Sequence, residues 1–291
     1  MSDLTTDSLY PQTPDSGGEA EPEVYRSGRR KRARSRNRRL LAYAGGLAVV
    51  VAVALLADWE RIGDRYFDLE RAQDQFPDIV SIAAKNTLIY TLFSFLGGTI
   101  LGTTMAMLRL SSIRAYRWFA AVYIEIFRGL PALLTIILVG FITPIALGIQ
   151  FPRVFGVPTA GIVALSLVAS AYLAETLRAG IQAVPKGQVE AARSLGMTQA
   201  ATMRIIVLPQ AFRIVIPPLT NELVLLLKDT ALLSVLGVTI ADKELTKFAR
   251  DAANQGFNGT PLLVAGLMYL IITIPLTRLV AVLERRNARA R

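Results

Sequence analysis

The sequence predicts an all-α membrane protein with six transmembrane helices. Three observations carry that prediction. Of the 291 residues, 53% are hydrophobic and only 19% are charged, with a mean hydropathy of +0.43, which is more apolar than an ordinary soluble domain. Apolar stretches recur at lengths near the ~20 residues that a bilayer requires. Lys and Arg gather in alternate connecting segments, as topology signals do. The chain has no Cys and no His, which removes disulfides, thiol nucleophiles, imidazole bases and the usual zinc or haem ligands. No catalytic residue and no metal site is expected.

Residues 1–25 are rich in Ser, Asp, Glu, Pro and Gly and read as a disordered tail. Residues 26–39 hold nine of the 32 Lys and Arg residues, so 1–39 forms a tail with a basic cytoplasmic segment. Such a block suits nucleic acid, but beside an apolar span it marks the cytoplasmic side of a membrane helix. No nucleic-acid partner is expected. The first span, 40–58, reads as a retained anchor. Its basic region is long and no A-x-A site closes it, unlike a signal peptide.

Five more spans follow, at about 87–108, 118–147, 157–177, 216–238 and 262–283. The third contains Gly129, Pro131 and Pro144 and is expected to be broken. The fifth opens with "IPPL". In the second, Gly98 and Gly102 give the small-xxx-small spacing that permits close helix contact. With the N-terminus inside, inner segments hold the 26–39 cluster, Arg109, Arg114 and Arg117, then Arg178, Lys186, Arg193, Arg204 and Arg213, then Arg285, Arg286, Arg289 and Arg291. Residues 58–78, with seven Asp and Glu against three Arg, face outward. Both termini are then cytoplasmic.

That topology puts "EAARSLGMTQAATMRIIVLP", 190–209, at the inner membrane face. Gly196 stops a first short helix, because it tolerates the left-handed conformation that ends helices. Thr198 caps a second, which has an apolar side of Met203, Ile205 and Ile206. Pro209 is expected to end it. Docking into a groove on a partner and an interfacial loop both fit such a hairpin.

The stretch has the form E-A-A, three residues, G, nine residues, I-x-L-P. It resembles the cytoplasmic signature of permease subunits of ABC importers. "IEIFRGLPALL" at 124–134, "ASAYLAETLRAGIQAVPKGQVEAARSLGM" at 169–197 and "IPPLTNELVLLLKDTALLSV" at 216–235 resemble the polar amino-acid branch. The likeness covers about 80–285, with the coupling loop at 188–209. Leu130 and Ala231 stand where the family usually has Thr and Ser. The resemblance implies a type I (MetI-like) permease core of five helices, plus the extra N-terminal helix, in a bacterial cytoplasmic membrane. It implies that Glu190, Ala191, Ala192, Gly196, Leu208 and Pro209 couple the chain to a separate ATP-binding subunit. It also implies a second permease subunit, identical or related, and an extracytoplasmic solute-binding protein. The cargo it implies is a polar amino acid such as glutamate or glutamine.

No G-x-x-x-x-G-K-[ST] occurs in the chain, so no P-loop cradles phosphates here. ATP and Mg are expected on the partner subunit, and no cofactor on this one. Membrane lipid surrounds the spans. Charges at bilayer depth face protein or water, which singles out Glu125, Arg128, Glu175, Lys228 and Asp229 as substrate-path candidates, with Asn221 and Thr230 adding neutral hydrogen bonds to the same cavity. Glu125 with Arg128, and Glu175 with Arg178, share an i, i+3 spacing. Arg128 or Lys228 would hold a carboxylate, and Glu125 or Glu175 an ammonium. Internal ion pairs that lock the bundle are the alternative. An ion-coupled secondary transporter is the competing function, with inverted repeats and midplane carboxylates as its signature.

Overall fold

A computed structural model describes residues 23–289. The expected tail at 1–25 lies, but for its last three residues, outside the described residues. The chain divides into two units that meet between Trp59 and Glu60. In the first, α1 (Glu23–Leu56) is a single helix in which the basic block runs straight into the apolar segment. Arg38–Leu56 is long and apolar enough to span a membrane, and every residue along it is exposed.

In the second unit, α2 (Trp59–Tyr66) and α3 (Leu69–Asp74) are short. A π-helical turn, Ile79–Ala84, leads into α4 (Lys85–Leu110), and α5 (Arg114–Gly129) follows. Then come α6 (Ala132–Ile137), a π turn (Leu138–Ile142) and α7 (Thr143–Leu147). β1 (Arg153–Val154) and β2 (Val157–Pro158) pair antiparallel around Phe155 and Gly156. Both turn residues have positive φ, 51° and 89°, as a two-residue hairpin turn of this hand demands. The rest is helical: α8 (Thr159–Gln182), α9 (Lys186–Ser194), α10 (Gln199–Thr202), a π turn (Met203–Val207), α11 (Leu208–Asp229) and a 3-10 turn (Thr230–Val235). A second 3-10 turn (Ile240–Asp242), α12 (Leu245–Gly256) and α13 (Thr260–Arg289) complete it.

Among the described residues, five helices are long and apolar enough to cross a membrane, and a sixth span forms if the bent pair α5 and α6–α7 counts as one. The expected break in the third span is therefore present, as a 104° bend. It falls at Leu130–Pro131. Proline disfavours the helical conformation in the residue before it, and Leu130 is extended at φ −81°, ψ 139°.

The fifth span departs from expectation. Helical structure runs without interruption from Gln199 to Val235, so the second arm of the 190–209 hairpin is the inner end of this span and not a separate short helix. Pro209 does not end it. It occupies the first turn of α11 directly after the π turn, where a missing N–H is tolerated. Pro217 and Pro218 lie inside α11 and do not open the span.

The main core joins α4, α6, α8, α11 and the 3-10 turn through Tyr90, Ile136, Leu165, Leu173, Leu226 and Leu233. α4 packs most extensively on α8. Its glycines explain why. A Cβ on Gly98 would lie 3.0 Å from Ala169 Cβ, and one on Gly102 would lie 2.8 Å from the Ser170 carbonyl oxygen. Without side chains there, Leu173 and Ala174 seat fully. A buried leucine contributes about 2 kcal/mol.

Candidate functional site

The hairpin at 186–210 is built from helix-capping chemistry. α9 ends in a Schellman motif: the Met197 N–H donates to the Ala192 carbonyl at 3.1 Å and the Gly196 N–H to the Arg193 carbonyl at 3.0 Å. Gly196 has φ +83°, the conformation the sequence assigned to it. Thr198 caps α10 by accepting from the Ala201 N–H at 3.2 Å. Gln210 donates to the side chain of Gln188 and, at 2.9 Å, to the Ile206 carbonyl, so the start of α11 is tied back to α9. Sequence reasoning missed this brace, since nothing in the spacing joins two glutamines 22 residues apart.

One face of the hairpin is packed and the other is bare. Ala192 is buried, and Val184, Val207 and Ala211 form a small apolar cluster with Val189 and Met203 around it. Glu190, Ala191, Gly196 and Pro209 are exposed, and Leu208 is half-buried. Leu195, the residue before Gly196, is 85% exposed. Among the described residues Glu190 has no ion-pair partner.

The path candidates fall into two groups. Glu175 accepts two hydrogen bonds from Arg178 on the same helix, one of them 3.0 Å from Nε. Glu125 and Arg128 have the same spacing and form no such pair among the described residues. Both are exposed, and the Arg128 guanidinium lies over the Tyr172 ring of α8. Tyr172, Glu175 and Arg178 follow one another at i, i+3 spacing on α8, so with Arg128 over Tyr172 and Glu175 bonded to Arg178 they make one polar surface on α5 and α8. The second group lies on α11. Asn221 and Lys228 are exposed two turns apart, with Leu225 exposed between them. Asp229 is half-buried. Thr230 is fully buried and donates to the Leu227 carbonyl at 2.7 Å, so its hydroxyl faces the interior. A lateral groove of about 460 Å³ between α4, α11 and α13 is lined by Leu88, Leu92, Leu223 and Leu279. It holds none of these polar residues and suits acyl chains.

At the opposite end, residues 239–260 form a polar junction that sequence reasoning left unassigned. Arg153 of β1 pairs with the buried Asp242. Thr239 and Asp242 form a capping box. Asn86 of α4 donates to the Ala241 carbonyl at 2.7 Å and the Lys243 carbonyl at 3.1 Å. Glu244 caps α12, accepting from the Thr246 and Lys247 N–H groups at 2.7 and 2.6 Å. Its side chain is 2% exposed. Burial pushes its carboxyl up to about 7, although these hydrogen bonds favour ionisation. Asp251 behaves oppositely. Partial burial disfavours its charge, but Lys243 at 2.8 Å and Lys247 at 3.0 Å outweigh that and hold it below the usual carboxylate range.

Residues 98–289 match the family of binding-protein-dependent transport system inner membrane components. The chain belongs to this family. The permease is 36% identical over 200 residues to the arginine transport system permease protein ArtQ of Bacillus subtilis, covering 69% of this chain and 88% of that one. It is 36% identical over 201 residues to the putative glutamine transport system permease protein GlnP of Rickettsia bellii, with 69% and 88% covered. It is 36% identical over 211 residues to the glutamate/aspartate import permease protein GltK of Escherichia coli O157:H7, with 69% and 90% covered. A crystal structure of an amino acid ABC transporter with histidines matches at 36% identity with a TM-score of 0.67, over 75% of this chain and 98% of that chain. The relatives are permease subunits of amino-acid ABC importers, and they leave the ion-gradient reading without support. The permease is thus a multi-pass membrane subunit whose match begins inside α4 and leaves α1 outside.

Proposed function

We propose that this permease imports a polar amino acid, with glutamate or glutamine as the leading cargo, in an assembly powered from outside the chain. The bare face of the α9 hairpin carries this reading. Glu190, Ala191 and the protruding Leu195 stand on a rigid, capped element. Through Thr198 and the π turn that element continues into the span bearing Lys228 and Asp229. A push on the hairpin therefore has a covalent helical route to the path. Ala191, Gly196, Leu208 and Pro209 shape the docking surface and its exit into the span, whereas Ala192 is buried and seats the hairpin from its packed face. An ATP-binding subunit docks there, and it holds ATP and Mg. No nucleotide site is assigned to this chain.

The path forms where polar faces of two permease subunits meet, with Glu125 and Arg128 from α5 and Asn221, Lys228 and Asp229 from α11, while Glu175, paired with Arg178, supports that surface from α8. A solute-binding protein delivers cargo from outside. Residues 80–285 constitute the transmembrane domain and 40–58 the anchor. Both termini are cytoplasmic, on the strength of the Lys and Arg distribution.

The test is ATP-driven uptake in proteoliposomes that contain the permease, its ATP-binding subunit and its binding protein. Leu195→Asp alters only an exposed side chain. It is expected to cut both uptake and pull-down of the ATP-binding subunit by about tenfold or more, as loss of an interface anchor does. Unchanged uptake and association would remove the main support for the hairpin. Competition of labelled glutamine uptake by unlabelled glutamate, glutamine and arginine then decides the cargo.

A further inference from the structure

We propose that the Tyr269 hydroxyl is a positioning residue for transport, joining the outer helix α12 to the end of α11 where Lys228 and Asp229 stand. The proposal rests on the reading that α11 lines the path.

Three oxygens surround that hydroxyl. Glu244 Oε2 lies 3.0 Å away, Thr246 Oγ1 3.2 Å and Thr230 Oγ1 3.5 Å. The first two belong to α12 and its cap. The third begins the 3-10 turn that continues α11. A phenol carries one proton, and the surroundings decide where it goes. With Glu244 ionised, Tyr269 donates to the carboxylate. The Thr230 proton is committed to the Leu227 carbonyl at 2.7 Å. No proton then remains for the Tyr269–Thr230 contact, and this link to the end of α11 is lost. With Glu244 protonated, its carboxylic O–H donates to the phenol oxygen instead. With the Thr246 hydroxyl donating to the phenol oxygen beside it, the phenol proton is released to Thr230 Oγ1, and α11 is fastened to α12 through α13. The proton comes from and returns to the outer solution, and no covalent bond changes otherwise.

Other groups frame this exchange without replacing it. Tyr90 of α4 feels the charges of Glu244, Asp242 and Arg153. Asp242 is neutralised by Arg153. Lys243 and Lys247 are both occupied by Asp251. Arg250 of α12 donates to the Ser234 carbonyl at 2.6 Å, a second tie to the same turn that does not involve Glu244. The carboxyl of Glu244, held near 7, changes state within the range where a transporter works. Residues 239–260 lie on the side assigned to the solute-binding protein, so a partner that moves α12 acts on the same joint.

The experiment is uptake by the complete transporter in proteoliposomes at outside pH 6, 7 and 8, comparing wild type with Tyr269→Phe and Glu244→Gln, with thermal melting of each purified complex alongside. Wild-type uptake should differ about fivefold or more between pH 6 and pH 8, with its midpoint near neutrality. Tyr269→Phe should flatten the profile. Glu244→Gln, which is neutral at every pH, should hold the pH 6 rate throughout. A residue that merely supports the fold would scale the rates and leave the profile intact. Should Tyr269→Phe lower the melting temperature, Thr230→Val and Thr230→Ser test the same contact, and only the valine variant should flatten the profile. A flat wild-type profile, or a wild-type profile in Tyr269→Phe, overturns the proposal. Lys228→Ala and Asp229→Asn separate the two levels. If both transport normally, the path reading falls and takes this proposal with it. If they fail while Tyr269→Phe keeps the wild-type profile, only the joint is disproved.

Discussion

The Arg128 guanidinium carbon lies 5.7 Å from the centroid of the Tyr172 ring. It is held by an aromatic face and not by Glu125, one turn earlier on its own helix. A cation over a ring retains its hydrogen-bond donors for another partner, whereas an ion pair consumes them. Arg128→Ala should therefore reduce uptake by about tenfold or more while shifting stability by about 1 kcal/mol at most. Arg128→Lys keeps the charge but loses the planar fork and should not restore the rate. Initial-rate uptake and thermal melting of the purified protein check both. Wild-type uptake in Arg128→Ala would remove this residue from the path.

Glu175 and Arg178 should behave as a structural pair. Their side chains are 30% and 26% exposed, so solvent screens them in part. A double-mutant cycle with Glu175→Gln and Arg178→Gln should give a coupling of about 1 kcal/mol in stability. Uptake in the double variant should remain within a few-fold of wild type. A coupling near zero would mean that the two hydrogen bonds contribute nothing net.

The contrast between these two pairs shows where sequence reading stops. Both have an i, i+3 spacing, and spacing alone assigns both the same fate. What separates them is the packing of α5 on α8, just before the 104° bend at Leu130–Pro131, which brings Arg128 over Tyr172. The bend itself was legible from Gly129 and Pro131, as were the Gly196 turn and the Thr198 cap, because each follows from local backbone chemistry. The span positions followed from hydropathy, except at the inner end of the fifth. Pro209 misled, because the π turn before it lets a helix absorb a proline that would otherwise end it, and π turns leave no mark in residue pattern. The Glu244–Tyr269 junction was invisible for a different reason. Its partners are separated by 25 residues, and no periodicity relates them.

Gly98 and Gly102 allow a sharper test of packing. Gly102→Val would drive a branched side chain into the Ser170 carbonyl and Leu173. Overpacking of this kind costs about 1–3 kcal/mol, and in α4–α8 it should appear as a lower melting temperature and a smaller folded yield. Gly45→Ala and Gly46→Ala are the controls. A Cβ at either meets nothing within 4 Å, and alanine is the better helix former by about 1 kcal/mol. If Gly102→Val melts with the controls, close approach is not what seats α4 on α8.

Glu244 gives stability a pH dependence whose sign is opposite to that of an ordinary ion-paired carboxylate. Its folded pKa is raised from the usual 4.5 to about 7. Below the lower value the group is protonated whether the chain is folded or not. Between the two, the folded chain keeps a proton that the unfolded chain has lost, so stability falls as pH rises through this window and levels off above it. The shift corresponds to about 3 kcal/mol at most. Asp251 is depressed instead, and its contribution is lost only as pH falls through and below the ordinary carboxylate range. The difference between wild type and Glu244→Gln in melting at pH 5 and pH 8 therefore isolates Glu244, because every other titrating group is common to both. Glu244→Gln should be less pH-dependent over that interval than wild type by most of this amount, because its neutral amide pays no desolvation of charge at either pH. Identical differences for the two proteins would show that the Glu244 carboxyl ionises as it does in water, and that its burial beside Tyr269 is not maintained in solution.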